Sequence, residues 1–160
     1  MQARMTNPIQ LLPDLFNPII AASQTRFDDA GVPQRTLELV HLRASQINGC
    51  AFCCDMHSRG LKQGGASDEM LWAVASWRES GEFDDAERAA LALTEAATRI
   101  ADRPETVTDE IWNDAKAHFS EKGLALLIGH IALINFYNRI NVIIRQPVPK
   151  HAQARTPEHA

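Results

Sequence analysis

Three cysteines fall within five positions, Cys50, Cys53 and Cys54, and His57 follows one helical turn after Cys53. Two thiols at i and i+3 share a face when they lie in the first turn of a helix, so Cys50 and Cys53 can meet. The unpaired N–H groups of that first turn favour thiolate over thiol. An imidazole four residues beyond Cys53 can accept a thiol proton and later return it, the pattern of an activated nucleophile. Glu38 joins this group only if the chain turns. It lies ten residues before Asn48, roughly 15 Å along a helix. A tight turn at Asn48-Gly49 would send the next helix back antiparallel, bringing Glu38 nearer to His57 than to Cys50. A straight helix would instead leave Glu38 and Cys50 about 120° apart.

Other uses of these residues are weaker. Cys50, Cys53 and His57 could offer three ligands to zinc, but no second ligand pair at finger-like spacing follows. Metal and cofactor are therefore both expected to be absent. Cys54, rotated about 100° from Cys53, reads as a packing residue with a lesser role as an alternative disulfide partner. His41, His118 and His130 read as structural.

Positioning the cluster requires helices, and the pattern is helical throughout. Leu15, Phe16, Ile19, Ile20 and Phe27 define a helix over 12–30, broken at Pro18. Gly31-Val32-Pro33 stops it and starts a second, which runs to Asn48. A third opens at about Cys50 and ends at Gly64-Gly65. Ser67 caps a fourth that carries Met70, Leu71, Val74 and Trp77. A fifth covers 84–101, with Asp84 and Asp85 at the positive end of its dipole. Thr108 caps a sixth over 109–119, and Ser120 opens a seventh that reaches Ile144. No segment alternates as a half-buried strand would. The class is all-α, a single helical domain over 1–145 followed by a proline-containing tail, 146–160, expected to be frayed. The last helix is apolar around most of its circumference, which suits burial in a core or between subunits. Trp72, Trp77 and Trp112 read as core or interface residues.

Bulk properties narrow the function. A chain of 160 residues can bury a core unaided, and the net charge of −4 with interspersed signs argues against nucleic acid. Pro8 and Pro13 interrupt the place where a signal peptide needs its apolar run, and 123–144 carries His130, Asn135, Asn138, Arg139 and Asn141. A cytoplasmic protein with no membrane partner is expected. Clustered cysteines in a reducing compartment point to redox chemistry rather than to a disulfide scaffold.

The string Glu38-x11-Cys50-x2-Cys53-x3-His57, with Leu42-Arg43-Ala44-Ser45-Gln46-Ile47-Asn48-Gly49 before the first cysteine, resembles the motif of AhpD-like alkylhydroperoxidases in the carboxymuconolactone decarboxylase superfamily. That resemblance implies a helical domain assembled as a homo-trimer or homo-hexamer that reduces hydroperoxides. It implies Cys53 as the peroxidatic thiol, Cys50 as the resolving thiol, and His57 with Glu38 as proton relay. A lipoyl or thioredoxin-like dithiol protein would supply the reductant. Ala51-Phe52 departs from members that place a histidine between the cysteines, and Cys54 is an extra thiol. A redox-responsive binding protein and a decarboxylase-like enzyme are the alternatives. The Cys-x-x-Cys pair disfavours the decarboxylase.

Overall fold

The computed structural model describes residues 2–25, 27–102 and 104–150, and these contain helices and no strand. The elements are α1 (Pro8–Leu11), α2 (Pro13–Gln24), α3 (Gln34–Asn48), α4 (Ala51–Gln63), α5 (Asp68–Ala73), α6 (Asp85–Thr98), α7 (Asp109–His118) and α8 (Glu121–Ile144), with 3-10 turns at Asp28–Ala30 and Val74–Glu79.

Local chemistry sets most of the boundaries. Ser67, Thr108 and Ser120 each accept a backbone N–H at the start of α5, α7 and α8. Asp84 forms a reciprocal capping box with Glu87 at α6. Gly49 ends α3 in the left-handed region at φ 68°, where a side chain would be strained. The chain reverses within two residues there, and α4 returns along α3.

The central helix is α3. Its Leu37 and Val40 pack with Ala90, Leu93, Leu124 and Leu127 of α6 and α8. Leu39 and Leu42 pack with Leu61, Met70, Val74 and Leu91. Ala44 closes on Cys50, Cys53 and Ile134. Burying Leu39 completely contributes about 1.5–3 kcal/mol, and α3 holds several such side chains, so it is a rigid base for the residues it presents. Buried polar groups tie α8 to the same helix. Asn48 donates to both Asn135 and Asn138, each at 2.9 Å, and Asn138 donates to Ser45 at 3.0 Å.

One expectation is corrected, and two that left core or interface open are narrowed. The helix expected over 12–30 ends at Gln24, and its Leu15 is 59% exposed while only Phe16 is buried, because its apolar stripe has little of this chain to pack against. Trp72 is 73% exposed, whereas Trp77 is buried with Arg78 stacked over its ring. In α8, Ile128, Val142 and Ile143 lie on the surface of the single chain rather than in its core. This helix is long and apolar enough to cross a membrane by length and composition, yet its asparagines are engaged by α3. Of the expected frayed tail, 151–160 lies outside the described residues, and 146–150 forms no helix.

Candidate active site

The turn at Gly49 places Cys50 at the N-cap of α4 and Cys53 in its first turn. The Cys50 sulfur accepts the Cys53 backbone N–H at 3.4 Å, the role usually taken by a serine or aspartate oxygen. Both side chains are buried, and both cysteines are free thiols. They differ in acidity. The Cys50 thiol donates to the Cys53 sulfur, and further hydrogen bonds from Asn141 and Asn138, with the nearby His57, outweigh burial and hold Cys53 down to about 6. That donated hydrogen bond, together with burial, pushes the Cys50 thiol far up. Cys54 turns toward the Leu39 cluster, and burial raises it to about 11. One thiolate and one thiol side by side are the reactants needed for sulfenic acid formation and its resolution.

Glu38 projects from α3 between the buried Leu37 and Leu39 and meets His57 of α4, with its Oε2 2.8 Å from Nδ1. Gln34 Nε2 donates to the other carboxylate oxygen at 3.0 Å. Gly60 makes this fit possible. A Cβ there would lie 2.9 Å from Glu38 Oε2, so the missing side chain is the space the carboxylate occupies. A carboxylate accepts only, so His57 Nδ1 is the donor and Nε2 carries the lone pair. That Nε2 is buried and has no hydrogen-bond partner, and the thiol of Cys53 is bonded by Asn141 Nδ2 at 3.4 Å rather than by the imidazole. His57 and the Cys53 sulfur are thus not hydrogen-bonded to each other, and the ring acts on Cys53 through its charge.

The structure brings all four expected residues together and adds others. His41, one turn after Glu38, lies with its ring centre 4.6 Å from that of His57. Its Nε2 meets Nδ1 of His130, from α8, at 2.9 Å. Burial, with the two neighbouring rings, holds His41 well below the usual imidazole range, and burial lowers His130 as well. The sequence offered one signal for the α8 contribution: Asn135, Asn138 and Asn141 recur every three residues along an otherwise apolar helix. His118 stays apart, near Asp114.

These groups open on a cavity of about 710 Å³, within the range of small-molecule sites. Ile20, Val32, Phe52, Leu133, Ile134 and Tyr137 supply apolar wall, while Cys53, Glu38, His57, His41 and His130 supply the polar end.

An all-helical domain whose Cys-x-x-Cys starts one arm of a helical hairpin, with a Glu–His pair between the arms, defines an AhpD-like fold. The chain belongs to the carboxymuconolactone decarboxylase family, whose sequence profile matches residues 13–96. It is 34% identical over 113 residues to the uncharacterised protein YdfG of Bacillus subtilis, covering 71% of this chain and 76% of that one. It is 37% identical over 120 residues to uncharacterised YnjA of Escherichia coli, covering 75% of this chain and 63% of YnjA. Among solved structures, ATU0492 from Agrobacterium tumefaciens, a protein of unknown function offered as an antioxidant-defence protein AhpD, superposes with a TM-score of 0.85 at 33% identity. That match covers 94% of this chain and all of ATU0492. The debrominase Bmp8 shares the fold with a TM-score of 0.73 at 20% identity, over 88% of this chain and 74% of its own.

Proposed function

We infer that this chain is a cytoplasmic thiol peroxidase that reduces organic hydroperoxides through the Cys50–Cys53 pair. The observation that carries this reading is the hydrogen-bonded pair itself, with the charge settled on Cys53 at the edge of an apolar cavity and the proton kept on Cys50. The Cys53 thiolate attacks the terminal oxygen of R–O–OH, the O–O bond breaks, and Cys53 becomes a sulfenic acid. When the thiolate forms, the Cys53 proton passes to His57 Nε2, and the departing alkoxide takes that proton, while Glu38 holds the ring through Nδ1 and stabilises its protonated form. Cys50 then attacks the sulfenic sulfur, releasing water and forming the disulfide. A dithiol, from a lipoyl or thioredoxin-like protein, reduces the disulfide and is itself oxidised. An apolar wall is wasted on hydrogen peroxide and suits an alkyl group, hence the organic substrate.

The apolar surface of α8 fits assembly as a homo-trimer or homo-hexamer. Turnover of cumene hydroperoxide with a dithiol, followed by peroxide loss, tests the reading. Sustained catalysis supports it, whereas one equivalent consumed per chain would make the protein a redox-responsive binder. Bmp8, which shares the fold, is a debrominase of which a cysteine-to-alanine variant was solved with 2,3,4-tribromopyrrole, and reductive debromination is the second reading. Bromide release from that pyrrole with dithiol, in the absence of peroxide turnover, would favour it.

A further inference from the structure

Beside the thiols lies a group of imidazole nitrogens of which the peroxidase chemistry uses one, His57 Nε2, in its proton relay. His41 Nδ1 and His57 Nε2 are both buried without a hydrogen-bond partner, and His57 as a whole is 8% exposed. Leaving two buried polar atoms unpaired is costly, so their environment calls for an occupant. Each ring is held from its far side. His57 donates Nδ1–H to Glu38, which leaves Nε2 as a bare lone pair. In the tautomer in which His41 donates Nε2–H to His130, its Nδ1 is a second bare lone pair. An imidazole fixed by a carboxylate or another acceptor behind it, with its other nitrogen unpaired, is the arrangement that orients histidines toward metals.

We propose that this chain binds one zinc-like transition-metal ion at His41 and His57, with Glu38 and His130 as the groups that orient and charge-compensate them. Donor atoms of Glu38, His41 and His57 all lie within 4.8 Å of one another. Ligands on one tetrahedral zinc stand roughly 3.3 Å apart, so a cluster of this size closes on one ion by side-chain rotation. Two imidazole nitrogens next to a carboxylate select zinc, copper or nickel over magnesium or calcium, which take oxygen ligands. All four side chains line the large cavity, so an ion can enter from the substrate side. The site shares His57 with the proton relay, and zinc on Nε2 occupies the lone pair that the relay uses. Zinc therefore inhibits the enzyme reversibly.

Titrating the full-length, phosphine-reduced chain with Zn²⁺ in a calorimeter tests this without reference to turnover. The rival location is the thiol pair, so the titration is repeated on Cys50→Ser/Cys53→Ser/Cys54→Ser. One ion per chain, retained in the cysteine-free protein, is expected. His41→Ala should weaken binding more than about 100-fold, and His130→Gln by about 10- to 100-fold. If circular dichroism shows His41→Ala misfolded, His130→Gln carries the comparison. Loss of binding with the cysteines, or full affinity in the histidine variant that folds, would overturn the proposal. A chain that binds zinc in this way but fails to turn over peroxide would refute the peroxidase reading alone.

Discussion

Replacing Asn141 with alanine removes one donor to the Cys53 sulfur and leaves the Cys50–Cys53 pair and the Glu38–His57 pair intact. A hydrogen bond to a charged group contributes about 1.5–3 kcal/mol, and about 1.4 kcal/mol corresponds to one pKa unit. The Cys53 midpoint, about 6 in the native protein, should therefore rise by about one to two units. The sign follows from the charge: the thiolate is the form the amide stabilises, so its loss moves deprotonation to higher pH. Reactivity then changes in opposite directions at the two ends of the pH range. At pH 5.5 the smaller thiolate fraction outweighs the greater nucleophilicity of a more basic sulfur, and alkylation by iodoacetamide should slow by about 3- to 10-fold. At pH 9 both proteins are mostly thiolate at Cys53, and the variant should react about 3- to 8-fold faster. Thiolate absorbance at 240 nm gives the midpoint directly, and Cys50 and Cys54, both pushed upward, stay silent in the acid half of that titration. An unchanged midpoint, with rate curves that do not cross, would refute the contribution of the α8 hydrogen bonds to the low Cys53 pKa.

Gly60→Ala should leave thermal stability unchanged or raised, since alanine is favoured over glycine in a helix by about 1 kcal/mol. The new Cβ displaces Glu38 from His57, so peroxide reduction should fall while the melting temperature does not. Glu38→Gln should slow the first peroxide step by roughly 10²- to 10⁴-fold, the loss typical of a positioned proton-transfer group, with single-turnover kinetics as the readout. Glu95→Ala should destabilise the protein by about 3–5 kcal/mol in urea unfolding. Its carboxylate receives Arg43 at 2.6 Å, Trp77 at 3.1 Å and Arg78, and its removal strands the mostly buried Arg43 guanidinium.

Most of what was legible in the sequence lies within one hairpin. Glu38, Cys50, Cys53 and His57 sit on two consecutive helices, so the position of a single turn, marked by Gly49, decides their meeting. Helix starts were legible for the same local reason, because Ser67, Asp84, Thr108 and Ser120 act within three residues of themselves. The contributions of His130, Asn138 and Asn141 were not legible. They reach the site from roughly 90 positions away, through the packing of α8 on α3; the three-residue spacing of the asparagines marks one polar face of α8 but not what that face meets. Nothing in the sequence signals that His41 meets His57 and His130, because one histidine on a helix face looks the same whether it faces a core or another imidazole. The exposure of Leu15 and Trp72 in the single chain has the same root: an apolar residue in a helix does not say which surface will cover it.

The division of labour between the two thiols is the central claim, and one experiment addresses it. Cys50→Ser and Cys53→Ser are each treated with one equivalent of cumene hydroperoxide and then with a dimedone-type reagent that traps sulfenic acid, and the labelled residue is found by peptide mass mapping. The low-pKa Cys53 beside the cavity should be labelled in Cys50→Ser, at a rate at least about 100-fold above background thiol oxidation, and Cys50 should stay unlabelled in Cys53→Ser. Sulfenic acid at Cys50 in Cys53→Ser, with none at Cys53 in its counterpart, would contradict the assignment and reverse the roles of the pair.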